Sequence, residues 1–179
     1  MKRFYTADPK DAYRLALEGL AGDARLIVVQ NDEVCVWTGA IQSFDLEECE
    51  RRGIAVAYGE YIGGSIVCMP GDLSVMRIHW GTDDWIVEFG RRVYDWLAGL
   101  GLDVVRSDND LLADGKKIFS WARATTKEGW CQSVAHFSIG PMDLELVKAI
   151  CTKEMVKMPG ALSDYGITAE DALLEFGLY

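Results

Sequence analysis

The sequence predicts an α+β fold in which helices pack on a mixed, mostly antiparallel sheet. Strand-like segments outnumber helical ones, and the long helical patterns lie between groups of strands rather than after every strand. Half of the 179 residues are hydrophobic, so the chain can bury a substantial core. The length and the lack of low-complexity segments favour a single domain over residues 1–179.

The first half of the chain predicts two helices and five strands. Asp8 and Pro9 mark a helix start, because aspartate is a favoured N-cap and proline a favoured first helical residue. A short acidic helix over 43–52 ends at Gly53. Hydrophobic runs predict strands at 25–30, 33–38, 54–58, 65–69 and 73–80, with a turn at Asn31-Asp32 joining the first two.

The second half opens with a long helix over 84–100, which Gly101 ends. Its large apolar residues share one predicted face: Trp85, Phe89, Val93, Trp96 and Leu100. The remaining predicted elements are a strand at 102–106, a hairpin of 117–125 with 130–139, a helix over 142–150 and a final helix from Thr168. The last of these begins with a capping-box pattern.

The net charge of −10 narrows the range of partners. Phosphate contacts require clustered lysine and arginine, so the charge argues against nucleic acid, and it argues equally against an anionic membrane surface. No apolar run reaches the length of a membrane span, and residues 1–9 lack the apolar region of a signal peptide. Five cysteines without a CxxC pair favour reduced thiols, so we expect a cytoplasmic location and no metal site.

A glycine-rich stretch, GEYIGGSIVCMPGDLSV over 59–75, has the outline of a ligand-binding loop. Gly63 and Gly64 permit backbone N–H groups to approach a ligand closely. The stretch has no basic residue and no histidine, so it lacks the charges that usually accompany an anion site. The alternative is that the two glycines form only a tight bend or bulge between strands.

Three stretches, taken in order, resemble the lipoate–protein ligase and octanoyltransferase family, which shares its catalytic fold with biotin–protein ligases. They are DPKDAYRLALEGL at 8–20, DLEECERRGIAVAYGEYIGGSIVCMPGDLSV at 45–75 and SDNDLLADGKKIFSWA at 107–122. The resemblance implies a biotin/lipoate ligase-like catalytic domain without the separate C-terminal accessory domain of some members. The chain departs from the family at Tyr58 and Gly59, where members carry arginines, and at Trp121, where an indole replaces a small residue and would fill a pocket.

The resemblance implies transfer or ligation of a lipoyl- or octanoyl-type acyl group to a lysine of a lipoyl-domain acceptor protein or an H protein. A ligase of this kind uses ATP and lipoate, and some members need an accessory ligase subunit. An octanoyltransferase needs no cofactor beyond its acyl donor, acyl carrier protein loaded with the acyl group. The third alternative is a catalytically inactive, ligase-like binding module.

By the same resemblance, Lys117 orients and polarises the acyl carbonyl, while Lys116 and Arg123 assist it. Asn109 and Asp110 occupy positions at which the family binds the nucleotide. Gly63-Gly64 would shape the floor of the pocket.

In the ATP-independent alternative, Cys151 is the nucleophile. Its spacing from Lys117 resembles that in octanoyltransferases, where a nearby cation favours the thiolate. The residues also have structural interpretations: Lys117 as a solvated strand residue, Cys151 as a buried hydrophobe and 109–110 as a turn.

Overall fold

The computed structural model describes residues 1–59, 65–153 and 157–179. The strands are β1 (Lys2–Thr6), β2 (Arg25–Gln30), β3 (Cys35–Thr38), β4 (Ala55–Tyr58), β5 (Ser65–Cys68), β6 (Leu73–Trp80), β7 (Val104–Ser107), β8 (Asp110–Ala113), β9 (Lys116–Thr125) and β10 (Trp130–Phe137). The helices are α1 (Pro9–Leu20), α2 (Leu46–Arg51), α3 (Trp85–Gly99), α4 (Leu144–Ile150) and α5 (Ala169–Phe176), with short 3-10 turns at Ile41–Ser43 and Leu162–Tyr165.

Two sheets form the framework, and their pairing confirms the predicted mixed, mostly antiparallel arrangement. The large sheet has the order β1-β2-β6-β10-β9-β8-β7, and among its described strands only β1 and β2 run parallel. The small sheet has the order β4-β3-β5, with β3 parallel to β4 and antiparallel to β5. The small sheet and α1 pack on one face of the large sheet, and α3 and α5 pack on the other.

The turn at Asn31 separates two sheets instead of closing a hairpin. Strands β2 and β3 follow each other in the chain but belong to the large and the small sheet, respectively. Asn31 instead forms hydrogen bonds with Asp72, the residue before β6. The backbone N–H and the side-chain amide of Asn31 both donate to the Asp72 carbonyl, at 2.9 and 3.2 Å. Strands β1 and β8 lie outside every predicted strand, and Asp110, predicted as part of a turn, begins β8.

The predicted face of α3 is buried except at its C-terminal end, because Phe89 and Val93 are buried and Trp85 and Trp96 pack half-buried against the core. Leu100 is 54 % exposed. The buried stripe runs through Ile86, Phe89, Gly90, Val93 and Leu97. Gly90 lies in this stripe directly against the indole of Trp121 in β9. A Cβ at position 90 would lie only 3.2 Å from that indole. The helix thus approaches the indole closely at this glycine.

The helices begin where local signals place them. The Asp8 side chain accepts from the Lys10 N–H at 2.8 Å, and Thr168 forms a reciprocal capping box with Asp171. None of the described helices has the length and apolarity that crossing a membrane requires.

Candidate functional site

A β-bulge in β9 determines which way Lys117 faces. Strand β8 pairs antiparallel with β9, and one register shift leaves Ile118 of β9 without an opposite residue in β8. Lys117 therefore pairs with Leu112 and lies on the same face of the sheet as Asp110. Regular alternation would turn Lys117 to the other face, with Phe119.

Lys117 lies where two cavities adjoin. The larger has a volume of about 500 Å³, and we call it the lysine cavity because Lys117, Lys153 and Lys157 line it. The smaller has a volume of about 320 Å³, and we call it the tryptophan cavity because Trp37 and Trp121 line it. Both cavities are lined by Ser65, Ile66, Asp110 and Lys117. Their volumes are in the range of small-molecule sites.

The backbone of Lys117 is held by the segment that follows α4. Its N–H donates to the carbonyl of Met158 at 2.8 Å, and its carbonyl accepts from the N–H of Gly160 at 2.8 Å. A Cβ on Gly160 would lie 2.7 Å from the Cβ of Lys116, so a larger residue there would displace β9. The same segment brings Lys157 into the lysine cavity, so one backbone pairing positions both lysines.

Lys157 is a candidate residue that sequence reasoning missed. Its ammonium donates to the carboxylate of Asp110 at 2.7 Å and to the carbonyl of Ser107 at 2.9 Å, and it lies 3.5 Å from Asp108. The hydrogen bond to Asp110 is the main cause that raises the pKa of Lys157, so the side chain is charged at neutral pH. The described wall of the lysine cavity carries three lysines against two aspartates and is therefore cationic.

Cys151 lines the lysine cavity together with Lys117, so the two residues predicted as catalytic border the same space. Cys151 is the C-cap residue of α4, and a backbone bridge to Phe44 ties it to the segment before α2. Burial raises the pKa of its thiol, and the nearby Cys49 raises it further. The thiol is therefore mostly protonated at neutral pH, whereas a nucleophile needs the thiolate.

Asn109 and Asp110, which the resemblance assigns to nucleotide binding, share a cavity with Lys117. Both line the tryptophan cavity, and Asp110 lines the lysine cavity as well. The carbonyl of Asn109 accepts from the N–H of Trp121 at 2.9 Å, which fixes the β7–β8 turn to β9. In this turn Asp108 adopts the left-handed backbone conformation, with a φ of 56°.

Of the two predicted helpers of Lys117, only Arg123 shares a cavity with it. Lys116 is exposed and lines neither of the two described cavities. Arg123 borders the tryptophan cavity, but its guanidinium donates to the carbonyl of Asp83 at 3.0 Å, just before α3. The guanidinium of Arg123 therefore lies on the side of the sheet that α3 covers.

Trp121 borders the tryptophan cavity without filling it. Its indole packs on Phe119, with ring centroids 5.8 Å apart, and against Gly90 of α3. Both contacts lie on the α3 side of the sheet. The expectation that this indole fills a pocket is therefore wrong.

Gly63 and Gly64, predicted as the floor of the pocket, lie outside the described residues. Gly59, just before that region, has a steric reason to be glycine, because a Cβ there would overlap the hydroxyl group of Tyr13 in α1. An arginine fits position 59 only if Tyr13 moves. This departure from the family pattern is therefore linked to the packing of α1.

A buried polar cluster supports one wall of the tryptophan cavity. Asp72 is fully buried, and its carboxylate accepts from three backbone N–H groups at 2.6–2.8 Å, those of Met69, Ile139 and Gly140. The Nδ1 of His136 lies 2.9 Å from the hydroxyl of Ser74, and its Nε2 lies 3.4 Å from Asp72. His136 is therefore a hydrogen-bonded, buried histidine that also lines the cavity.

Comparison with known proteins identifies the fold. No protein-family model matches the chain, and no curated protein matches it by sequence. It is similar to a bi-partite lipoate protein ligase of Thermoplasma acidophilum, with a TM-score of 0.71 and 19 % identity over 97 % of this chain and 80 % of the other. It is similar to a lipoate-protein ligase A bound with ATP, with a TM-score of 0.72 and 19 % identity over 98 % and 82 %.

A third similar structure is LipL1 of P. falciparum in complex with lipoate, with a TM-score of 0.72 and 13 % identity over 97 % of this chain and 57 % of the other. At these identities the likeness concerns the fold. It confirms the α+β, ligase-like domain that the three sequence stretches predict. The chain therefore has a lipoate–protein ligase-like fold.

Proposed function

We propose that this protein transfers or ligates a lipoyl- or octanoyl-type acyl group to a lysine of a lipoyl-domain acceptor protein or an H protein. The observation that carries the proposal is the location of Lys117, where a cationic cavity adjoins one with aromatic and aliphatic walls. A carboxylate bound at Lys117 has room for its chain on one side and for an activating group on the other. The lipoate–protein ligase-like fold supports the same reaction class.

The lysine cavity fits ATP as the activating substrate, because ammonium groups are good partners for phosphate oxygens. In this version, the acyl carboxylate displaces pyrophosphate from ATP, and the acceptor amine then takes the acyl group, releasing AMP and a proton. Lys117 stabilises the negative charge that builds on the carboxyl oxygen. Lys153 and Lys157 neutralise the phosphates, and Asn109 and Asp110 contact the nucleotide.

The proposed acceptor follows from one of the similar structures. The Thermoplasma ligase is bi-partite and was studied with its E2 lipoyl domain. This supports a lipoyl domain as the acceptor here and an accessory ligase subunit as a further partner.

Acyl loading of a purified lipoyl domain tests the proposal. After incubation with ATP, Mg²⁺ and lipoate or octanoate, the intact mass of the domain should increase by one acyl group. Lys117→Ala should abolish the increase, while Lys116→Ala, at the exposed neighbouring position, should preserve it. If a known ligase loads the same domain and this protein loads neither acid, with or without an accessory subunit, the proposal is wrong.

Octanoyl transfer through a Cys151 thioester is the second candidate, favoured by the cavity that Cys151 shares with Lys117. The raised pKa of the thiol opposes it. Incubation with octanoyl-acyl carrier protein should then give an octanoyl adduct that Cys151→Ser lacks. If neither reaction yields product and neither ATP nor lipoate raises the thermal stability, the binding-module alternative takes precedence.

A further inference from the structure

A further groove of ligand size lies on the α3 side of the large sheet, apart from the lysine and tryptophan cavities. It has a volume of about 370 Å³ and runs between α3 and the strands β7, β8 and β9. Its described lining has Trp121 alone in common with the tryptophan cavity and no residue in common with the lysine cavity. We call it the arginine groove because Arg91 of α3 and Arg106 of β7 line it.

The floor of the arginine groove is apolar and belongs to the core. Leu111 of β8 is fully buried, and Val104 of β7 and Trp121 of β9 are almost fully buried. Gly90 brings α3 close to this floor, against the indole of Trp121. Because four elements of the fold form the floor, it is present before a ligand binds and can cover the apolar part of one.

Arg106 is held in place while the outer part of its guanidinium stays available. Its Nε donates to the carbonyl of Asp108 at 3.2 Å, and its guanidinium carbon lies 5.2 Å from the centre of the Trp121 ring. Among the described residues, its two terminal amino groups have no hydrogen-bond partner. A guanidinium oriented in this way presents a planar fork of N–H donors, which matches the oxygens of an oxyanion.

The groove carries positive charge that its own wall does not neutralise. The described lining contains Arg91 and Arg106 and no aspartate or glutamate. Arg91 forms an ion pair with Asp95 at 3.8 Å, but both side chains are exposed, and such pairs contribute little. The phenol of Tyr94 also lines the groove and adds a hydrogen-bond donor. In a chain with a net charge of −10, two arginines over an apolar floor favour an anionic ligand with an apolar part.

We propose that the arginine groove binds a small aromatic phosphate monoester. A phosphate monoester carries a charge of about −1.5 to −2 at neutral pH, so it balances two guanidinium groups, whereas a carboxylate balances one. Its oxygens accept from Arg91, Arg106 and Tyr94, and its ring packs on Leu111 and the edge of Trp121. The site is independent of the acyl transfer proposed above, which takes place on the other face of the sheet.

Calorimetry on the whole protein, with 1-naphthyl phosphate as the probe, tests the class of ligand. We expect saturable binding with a Kd below about 1 mM, as the size of the probe allows. Inorganic phosphate lacks the ring and 1-naphthol lacks the phosphate, so both should bind at least about tenfold more weakly. The singly charged 1-naphthoate should bind at least about threefold more weakly. Equally tight binding of any of these three compounds, or no saturable binding of the probe, overturns the proposal.

Two substitutions test whether the probe binds in the groove. Arg91→Gln and Arg106→Gln each remove one charged partner and should weaken binding of 1-naphthyl phosphate about tenfold. Arg92→Gln is the matched control, because Arg92 is the next residue of α3 but its guanidinium lies over Phe176, outside the groove. Its Kd should stay within about twofold of the unaltered protein. The two groove variants lie in different elements, so each remains informative if the other fails to fold.

Lys117→Ala separates this site from the proposed function. This variant should lose acyl transfer and still bind 1-naphthyl phosphate with unchanged affinity, because Lys117 lies outside the groove. A probe that binds normally to both groove variants but weakly to Lys117→Ala occupies the cavities around Lys117, and that result overturns the assignment. Binding that depends on Arg91 and Arg106 in a protein without acyltransfer activity supports the groove and contradicts only the proposed function.

Discussion

Replacing Asp72 by asparagine should destabilise the fold, because this buried carboxylate joins the start of β6 to the end of β10. Its Oδ1 accepts from the N–H groups of Ile139 and Gly140 at 2.6 and 2.8 Å, and its Oδ2 accepts from the N–H of Met69 at 2.7 Å. Asparagine keeps one oxygen for the first two donors. Its NH₂ group, however, faces the N–H of Met69, so one acceptor becomes a donor.

The expected loss of stability follows from this replacement of one hydrogen-bond acceptor by a donor. A hydrogen bond to a charged group contributes about 1.5–3 kcal/mol, and a buried N–H left unpaired costs about 1–3 kcal/mol. The two effects overlap, so we expect the free energy of unfolding to fall by about 2–4 kcal/mol. In a chain of this length, 1 kcal/mol corresponds to about 2–4 °C, which predicts a decrease in Tm of roughly 4–16 °C.

Urea unfolding followed by circular dichroism measures the effect, because the midpoint and the slope together separate stability from compactness. Asp143→Asn is the matched control. Asp143 caps α4 and accepts from the exposed N–H of Leu146 at 2.9 Å. Asparagine is an equally good N-cap, so the free energy of unfolding of this variant should change by less than about 0.5 kcal/mol. A loss below about 1 kcal/mol in Asp72→Asn would refute the reasoning.

Three further experiments separate the roles of residues in the site. Lys117→Gln should lower the rate of acyl transfer about 10²–10³-fold, as expected for the loss of one preorganised donor. Lys116→Gln should keep the rate of acyl transfer within about twofold of the unaltered protein, and equal losses in the two variants would contradict the role of the bulge. Lys157→Gln should raise KM for ATP about tenfold with a smaller change in kcat, whereas Lys148→Gln, at an exposed position, should leave both constants unchanged. An unaltered KM in Lys157→Gln would exclude Lys157 from phosphate binding. Iodoacetamide should alkylate Cys151 more slowly than free cysteine at neutral pH, with a rate that keeps rising in alkaline buffer, because burial raises the thiol pKa. Fast alkylation at neutral pH would instead favour the thioester route.

Several elements follow from chemistry that is local in the sequence. The N-cap at Asp8 and the capping box at Thr168 start helices where they are predicted. Strands β9 and β10 pair as the predicted hairpin. Each of these features depends on residues within a few positions of one another, so the sequence alone is sufficient.

Sheet membership and strand register require contacts that are distant in the sequence. Strands β2 and β3 separate where Asn31 bonds to Asp72, which is 41 positions away. The bulge at Ile118 arises from the pairing of β8 with β9, and nothing local in KKIF predicts it. That bulge determines that Lys117, and not Lys116, faces the site.

The charges of the site are only partly visible in the sequence. Lys117 lies in a stretch that resembles a known motif, whereas Lys157 lies outside the three stretches that carry the resemblance. Lys157 reaches the cavity because its segment pairs with the backbone of Lys117. The absence of an arginine at Gly59 can be seen in the sequence, but its steric cause, Tyr13, emerges only from the packing of α1.

A crystal structure of the protein with a bound medium-chain acid tests the central claim most directly. We expect a carboxylate oxygen within about 3 Å of the Lys117 Nζ and an acyl chain that extends into the tryptophan cavity. A bound acid whose carboxylate lies elsewhere, with the Lys117 ammonium facing bulk water, would contradict the proposed function.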